Sequence, residues 1–294
     1  MGKFINPFTD VGFKRIFGQE FSKPLLLDFL NNLLEGERHI TDLKLRDKEQ
    51  AAIYDGDRSP VYDVYCETDT GEKIIVEMQN REQPNFKERT LYYASESIVR
   101  QGERGTAWDY DIKAVYLVAF TNFSLGELPA DFRIDAGLTD LKSGETFCDK
   151  LRLIYLQLPL FTKEADDCEN DFERWIYVLK NMETLNRLPW AAQSSVFQRL
   201  AEIGEVSALT KEERIEYDHA LKKYRDTLNA LAGAEQKGWV KGREEGREEG
   251  REEGREEGEH LKALKMARQM KEDGMPADVI IKYTGLTKDE LQQL

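Results

Sequence analysis

Two carboxylates lie inside segments that otherwise resemble buried β-strands, and they are the residues of this sequence best suited to chemistry. Asp63 lies in PVYDVYCE, residues 60–67, and Glu77 lies in KIIVEMQ, residues 73–79. An unpaired charge in a buried strand costs free energy, so each acid requires a partner. The role of Asp63 and Glu77 therefore depends on which residues they face in the folded chain.

The two segments are joined by a short turn, TDTGE, which predicts an antiparallel hairpin. A turn centred on Thr70 places Asp63 opposite Glu77, with facing β-carbons about 5 Å apart. By strand parity, Gln79 lies on the same face. Facing acids repel each other unless a cation lies between them, and carboxylate oxygens suit Mg²⁺ or Mn²⁺. The pattern predicts a metal site; the alternative is the solvent-exposed face of an ordinary hairpin.

Residues 84–104 follow the hairpin with helical periodicity. Arg89, Tyr93, Glu96 and Arg100 are spaced to share one stripe, while Leu91, Ala94 and Ile98 are expected to face the core. A stripe of arginine and tyrosine beside a carboxylate pair is suited to gripping a phosphate. The alternative is a solvated face stabilised by pairs of charges four residues apart.

The elements that position these residues begin with two helices, at residues 8–18 and 22–35, the second with Ser22 as its N-cap. On the first helix, Asp10 and Lys14 share a face with Phe13 and Phe17. Either charged residue could reach the metal site, although their spacing alone favours a surface role.

Further strands are predicted at residues 39–47, 111–120 and 150–161, and helices at 169–185, 190–204 and 211–232. The first 160 or so residues therefore predict a mixed α/β domain, and the following residues predict an all-α region.

Residues 243–258 repeat REEG four times. Residues four apart in this repeat carry like charges, and each glycine costs about 1 kcal/mol in a helix relative to alanine. An isolated helix should therefore fray, which favours a polar linker. The glycines nevertheless form a stripe along which a second backbone could approach, so a self-associating helix is the alternative.

The residues after the repeat predict a small helical module. One helix is expected over residues 260–272, a turn over 274–276, a short helix over 277–283, and a last helix capped by Thr287. A helix–turn–helix that binds DNA and a packing or assembly module both fit this pattern.

Composition excludes several classes of protein. The chain has 294 residues and a net charge of −14, so a nucleic-acid partner must be met by a local basic patch or a metal ion. Three widely separated cysteines exclude a disulfide framework and disfavour a thiolate zinc site. The sequence contains neither a signal-peptide core nor a run of about 18 apolar residues, so we expect a cytoplasmic protein without a membrane span.

The hairpin and its surroundings resemble a known nuclease family. The arrangement of Asp63, the hairpin, Glu77 and Gln79 resembles the PD-(D/E)XK nuclease core. The wider chain resembles the bacterial Rpn family, the recombination-promoting nucleases also described as PD-(D/E)XK transposases. The matching segments are FINPFTDVGFKRIFG, YDVYCETDTGEKIIVEMQ, FKERTLYYAS, the REEG repeat and the closing YTGLTKDELQQL.

The resemblance implies a restriction-endonuclease-like mixed sheet flanked by helices, over a nuclease-like domain at residues 1–162. It is followed by a helical region at 163–232, a repeat linker or helix at 233–259, and the module at 260–294. It also implies Mg²⁺-dependent cleavage of double-stranded DNA, linked to recombination or mobile elements. Homo-oligomers through the C-terminal helical region are a further expectation.

The resemblance assigns Asp63 and Glu77 to the metal, with Gln79 as a third catalytic residue. The superfamily motif ends in lysine where this chain has Gln79, which can orient a water molecule but cannot supply positive charge. Lys73, Lys14 or Arg89 could substitute for that lysine. The alternative function is a catalytically weak or inactive module that binds DNA or protein and retains the nuclease fold.

Overall fold

The computed structural model describes residues 2–47, 49, 61–102, 108–126 and 131–294. The chain divides into two compact units, Met1–Thr227 and Leu228–Leu294. The domain boundaries expected from the sequence remain predictions. None of the helices in these described ranges combines the length and the apolar character needed to span a bilayer.

The first unit is built on a six-stranded mixed sheet with the strand order β1-β2-β3-β4-β6-β5. Strand β4 is parallel to both of its neighbours, β3 and β6. The other neighbouring pairs are antiparallel. The strands are β1 (Leu43–Leu45), β2 (Val64–Thr68), β3 (Lys73–Gln79), β4 (Val115–Thr121), β5 (Arg133–Thr139) and β6 (Thr146–Gln157).

Strand β5 is absent from the sequence prediction. Its sequence, RIDAGLT, contains aspartate, alanine and glycine, which are poor strand formers. It pairs only with β6, and its register shifts twice, on either side of Leu138. β5 is an edge strand with a neighbour on one side. Its register shifts interrupt the alternation of side chains between the two faces of the sheet, so its sequence shows little period-two pattern.

Helices cover both faces of the sheet. They are α1 (Asp10–Phe17), α2 (Lys23–Leu33), α3 (Phe86–Val99), α4 (Asp171–Asn181), α5 (Ser195–Gly204), α6 (Lys211–Glu272), α7 (Ala277–Thr284) and α8 (Lys288–Gln292). The Thr9 hydroxyl caps α1 by accepting from the Gly12 N–H at 3.0 Å. Ser22 does not cap α2 as expected: it lies in a short 3₁₀ turn, and its hydroxyl donates to the Gln19 carbonyl.

The two faces of the sheet pack against different helices. Alternate residues of β3, such as Ile74 and Val76, join a large core with aromatic residues of α1, α2, α4 and α5. Ile75 points the other way, into a smaller core with Tyr65 of β2 and Ala94 of α3. Period-two alternation therefore assigns odd-numbered residues of β3, including Glu77, to the face covered by α3.

The second unit contains the rest of α6, including the REEG repeat, followed by α7 and α8. The repeat is helical and exposed, and no described atom lies within 4 Å of a β-carbon built on its four glycines. The terminal helices enclose a small core of Ala267, Ile280, Leu286 and Leu291. The expected cap is confirmed, because Thr287 forms a capping box with Glu290.

Candidate active site at the end of the β2–β3 hairpin

The register of the hairpin confirms the sequence prediction. Val64 pairs with Val76 and Tyr65 with Ile75, so the next positions outward are Asp63 and Glu77. Asp63 itself lies in a bend directly before β2 rather than inside the strand, which corrects the expected strand over 60–67. Pro60, the first residue of that expected strand, lies outside the described residues.

Each of the two acids accepts a hydrogen bond from the backbone of the neighbouring segment. The Met78 N–H donates to Asp63 Oδ2 at 2.8 Å. In return, the Asp63 backbone donates a hydrogen bond to the Glu77 carboxylate. This reciprocal arrangement holds the two side chains together at the end of the hairpin, where the sheet order places β3 beside β4.

Glu77 is a buried acid, with only 8% of the residue exposed. Burial, and after it the charge of Asp63, raise the pKa of its carboxyl to about 8, although Arg89 opposes the shift. Its Oε1 atom has no hydrogen-bond partner in the described part of the chain. A buried, unpartnered carboxylate oxygen beside a second carboxylate is the donor set that a divalent cation satisfies.

Asp63 and Glu77 are the two acids that the described residues bring together here. Within the described residues, no group of three or more His, Cys, Asp and Glu side chains is arranged to hold a metal ion. This composition fits Mg²⁺, which keeps several water molecules and is commonly bound by one or two carboxylates together with substrate phosphates.

Gln79 is held from both sides. Its Oε1 accepts from Arg89 Nη2 at 2.9 Å, and its Nε2 donates to the Arg81 carbonyl at 2.9 Å. Of the cations expected to replace the missing lysine, Arg89 is beside this glutamine and lowers the pKa of Glu77. Lys73 instead pairs with Glu67 at 2.7 Å, at the opposite end of the hairpin.

Helix α3 presents a polar stripe to the site. Tyr93 lies near both acids, and burial together with the charge of Glu77 raises the pKa of its phenol. Arg89 lies over the Tyr93 ring, 6.0 Å from its centroid. Glu96 is buried and pairs with Arg100. The stripe therefore packs inward at Glu96.

The expected inward face of α3 is partly wrong. Leu91 was expected in the core but is 47% exposed, whereas Ala94 is fully buried. The helix is rotated so that polar Thr90 and Ser97 are buried instead. Both hydroxyls find partners there, Thr90 with Tyr155 and Ser97 with Tyr65, and these hydrogen bonds remove the cost of burying them.

Asp10 and Lys14 form an ion pair with each other, with 2.6 Å between Oδ1 and Nζ. They lie on α1, whose Phe13 and Phe17 pack on the face of the sheet opposite to the face that carries Glu77. A supporting role for either residue at the metal site remains a prediction.

Sequence reasoning missed Tyr62. Strand parity would place it on the opposite face from Asp63, but the bend at Asp63 turns its ring toward α3. The ring lies 5.5 Å from the Tyr93 ring and 5.2 Å from the Tyr65 ring, measured between centroids. Only the bend reveals this position, and no residue type in the segment announces the bend.

Comparisons with known proteins agree with this architecture. Residues 7–234 match the family described as PD-(D/E)XK nuclease family transposase. Residues 260–294 match the Rpn/YhgA-like nuclease family, C-terminal HTH domain. Searches of curated proteins and of solved structures found no significant match. The first match covers more than three quarters of the chain, and the protein therefore belongs to the PD-(D/E)XK nuclease family of transposases, with an Rpn/YhgA-like HTH domain at its C-terminus.

Proposed function

We propose that this protein is a Mg²⁺-dependent DNA endonuclease that hydrolyses phosphodiester bonds in recombination or in the movement of mobile elements. The observation that carries the proposal is the Asp63–Glu77 pair, in which Glu77 Oε1 is buried and meets no partner among the residues that the structure describes. The family supports nuclease chemistry in general. The metal, the DNA substrate and the biological process are the proposed parts.

Asp63 and Glu77 would hold the cation, Mg²⁺ or Mn²⁺, through hard carboxylate oxygens. When bound, such a cation lowers the pKa of its water and stabilises the charge that develops on the phosphate. The hydrogen bonds from the Met78 N–H to Asp63 and from the Asp63 backbone to Glu77 restrict the positions of both carboxylates. Mg²⁺ bound by two carboxylates would keep sites for water and for an oxygen of the substrate phosphate.

Arg89 would supply the positive charge that Gln79 cannot. Its guanidinium donates hydrogen bonds to the side-chain amide oxygens of Gln79, at 2.9 Å, and of Gln83. It also lies over the Tyr93 ring. A guanidinium fixed in this way suits a phosphate oxygen, because its fork matches the phosphate geometry. Gln79 in this arrangement orients Arg89 and has its own amide donor occupied by the Arg81 carbonyl.

The HTH domain would bring the chain to DNA. Residues 260–294 contain six basic and five acidic side chains, whereas the whole chain has a net charge of −14. The domain therefore lacks the excess of negative charge by which the chain as a whole repels DNA phosphates. The DNA contacts made there and those made at the nuclease site would be separable by substitution.

A plasmid-nicking assay tests the proposal. The wild-type chain should nick supercoiled DNA with Mg²⁺ and stop when EDTA is added, and Asp63→Ala or Glu77→Ala should abolish nicking while keeping the fold. Glu67→Gln is the matched control, because Glu67 lies on the same hairpin but pairs with Lys73 at its other end. An Asp63→Ala variant that nicks at the wild-type rate would refute the site assignment.

The second candidate is an inactive module that binds DNA or protein. It is favoured by one observation, that glutamine stands where the superfamily has its lysine. It predicts no metal-dependent nicking together with retained DNA or protein binding, so the same assay separates the two functions.

A further inference from the structure

Four buried polar atoms between α3 and the β2–β3 hairpin have no hydrogen-bond partner among the described residues. They are Tyr62 OH, Glu77 Oε1, Arg89 Nε and Glu96 Oε2. A buried polar atom without a partner loses its hydration and gains nothing in return. Four of them in one region call for a common explanation.

The four atoms are chemically complementary. The carboxylate oxygens of Glu77 and Glu96 accept hydrogen bonds, Arg89 Nε donates one, and the Tyr62 hydroxyl can do both. Donors and acceptors that share a buried region without meeting directly are typically bridged by internal water, which makes about three hydrogen bonds. A cation at the acid pair would account for Glu77 Oε1 but not for Tyr62 OH or Glu96 Oε2.

Tyr62 packs between the hairpin and helix α3, which carries Glu96. The residue is 1% exposed, and its ring packs against Tyr65 and Tyr93. Tyr93 precedes Glu96 by one turn of α3 and lies beneath the Arg89 guanidinium, so the Tyr62 ring is beside the helix face that carries both residues. Glu96 is 7% exposed and uses Oε1 to pair with Arg100, while its buried Oε2 meets no partner among the described residues.

We propose that Tyr62 and Glu96 hold ordered water in an internal polar pocket beside the Asp63–Glu77 pair, and that this water positions the Glu77 carboxylate. Tyr62 and Glu96 are then positioning residues rather than catalytic ones. The positioning role rests on the proposed function, because it requires Glu77 to bind a cation, whereas the water site stands on the unpartnered atoms alone.

The test compares two tyrosine-to-phenylalanine variants of the full chain. Tyr62→Phe removes the hydroxyl that we assign to water. Tyr65→Phe is the matched control, because Tyr65 is also buried against α3 but its hydroxyl meets Ser97 Oγ directly at 3.3 Å. Titration calorimetry with Mg²⁺ should show an affinity about tenfold lower for Tyr62→Phe, the usual effect of losing a group that orients a metal ligand. Tyr65→Phe should stay within about twofold of wild type.

A high-resolution crystal structure of the full chain provides the second measurement. We expect water within hydrogen-bonding distance of Tyr62 OH and Glu96 Oε2 in the wild type, and its loss in Tyr62→Phe. A dry pocket, or a direct Tyr62–Glu96 hydrogen bond, would overturn the water site. Equal loss of Mg²⁺ affinity in both variants would overturn the positioning role and assign the effect to packing.

The two proposals fail differently. A wild-type chain that binds no Mg²⁺ would refute the metal-dependent function and the positioning role together. Water density at Tyr62 and Glu96 in that same protein would still confirm the internal water site.

Discussion

Burial makes Glu77 a weak acid in the metal-free protein, and this has a thermodynamic consequence. Its pKa is about 8 in the folded chain against 4.5 for an ordinary glutamate. Between these pH values the folded state holds a proton that the unfolded state releases. The stability contributed by this proton is full below about pH 4.5 and is lost as the pH rises through about 8.

We therefore expect Glu77→Gln, which stays neutral, to gain stability relative to the wild type as the pH rises from 5 to 9. Urea unfolding of both proteins in EDTA would measure the difference. Adding Mg²⁺ should reduce this difference in the free energy of unfolding at high pH, because the cation stabilises the ionised carboxylate, which only the wild type has. Stability curves that remain parallel across this range would contradict the burial of an ionisable group at position 77.

Arg89 gives a second prediction at the level of single residues. Arg89→Lys keeps the charge but loses the planar fork that bonds to Gln79 and Gln83. We expect nicking to fall about tenfold or more with little change in Mg²⁺ affinity, because fork geometry matters most at the phosphate. Arg46→Lys is the control, since Arg46 uses its own fork on Glu67, away from the acid pair. Full activity in Arg89→Lys would remove the guanidinium from the mechanism.

The residues of the candidate site were largely predictable, but their surroundings were not. A five-residue turn and the alternation of the flanking strands were enough to predict the register that pairs Tyr65 with Ile75 and brings Asp63 next to the end of β3. The inward rotation of Glu96 and the turning of Tyr62 depend on a bend and on the docking of α3. Both are consequences of tertiary packing, and a local pattern contains no signal for them.

At the level of elements, the predictions succeeded where a local rule decides the structure. The Thr287 cap and the hairpin register each depend on a few neighbouring residues. Strand β5 was missed because only its pairing with β6 makes it a strand. Ser22 failed as a cap because a preceding 3₁₀ turn claims its hydroxyl.

The REEG helix makes a prediction of its own. Replacing Gly246, Gly250, Gly254 and Gly258 with alanine should stabilise the helix by about 1 kcal/mol per site, since a β-carbon at each position meets no described atom. Circular dichroism melting would show this as higher helicity, and nicking should not change. Gly285→Ala is the opposite control: Gly285 has φ +72°, so the substitution should destabilise the terminal helices.

That comparison also tests self-association. If the glycine stripe is a contact between chains, alanine should lower the oligomeric state measured by light scattering, because it blocks close approach of two backbones. If the repeat is a spacer, the oligomeric state should stay the same while helicity rises.

At the level of the whole molecule, the division of the chain after Thr227 predicts independent units. A chain ending at residue 232 retains the α6 residues that contribute to the core of the first unit, among them Tyr217, Leu221 and Tyr224. We expect it to remain folded and to bind Mg²⁺, with weaker DNA binding and a lower oligomeric state. Calorimetry, DNA-binding titration and light scattering would measure these properties. Unfolding of this shortened chain would show that the first unit needs the tail.

The burial of the tryptophans offers an optical way to follow the two units separately. Trp175 is completely enclosed by Phe17, Phe29 and Phe197 in the first unit, so its fluorescence should be emitted at short wavelength and should shift to the red only when that core opens. Trp239 lies in the second unit and is 63% exposed, so its emission should already be red-shifted in the native chain. Subtracting the spectrum of Trp239→Phe from that of the wild type isolates the helical tail. Tryptophan fluorescence during thermal unfolding can thus show whether the first unit and the helical tail unfold together or one after the other.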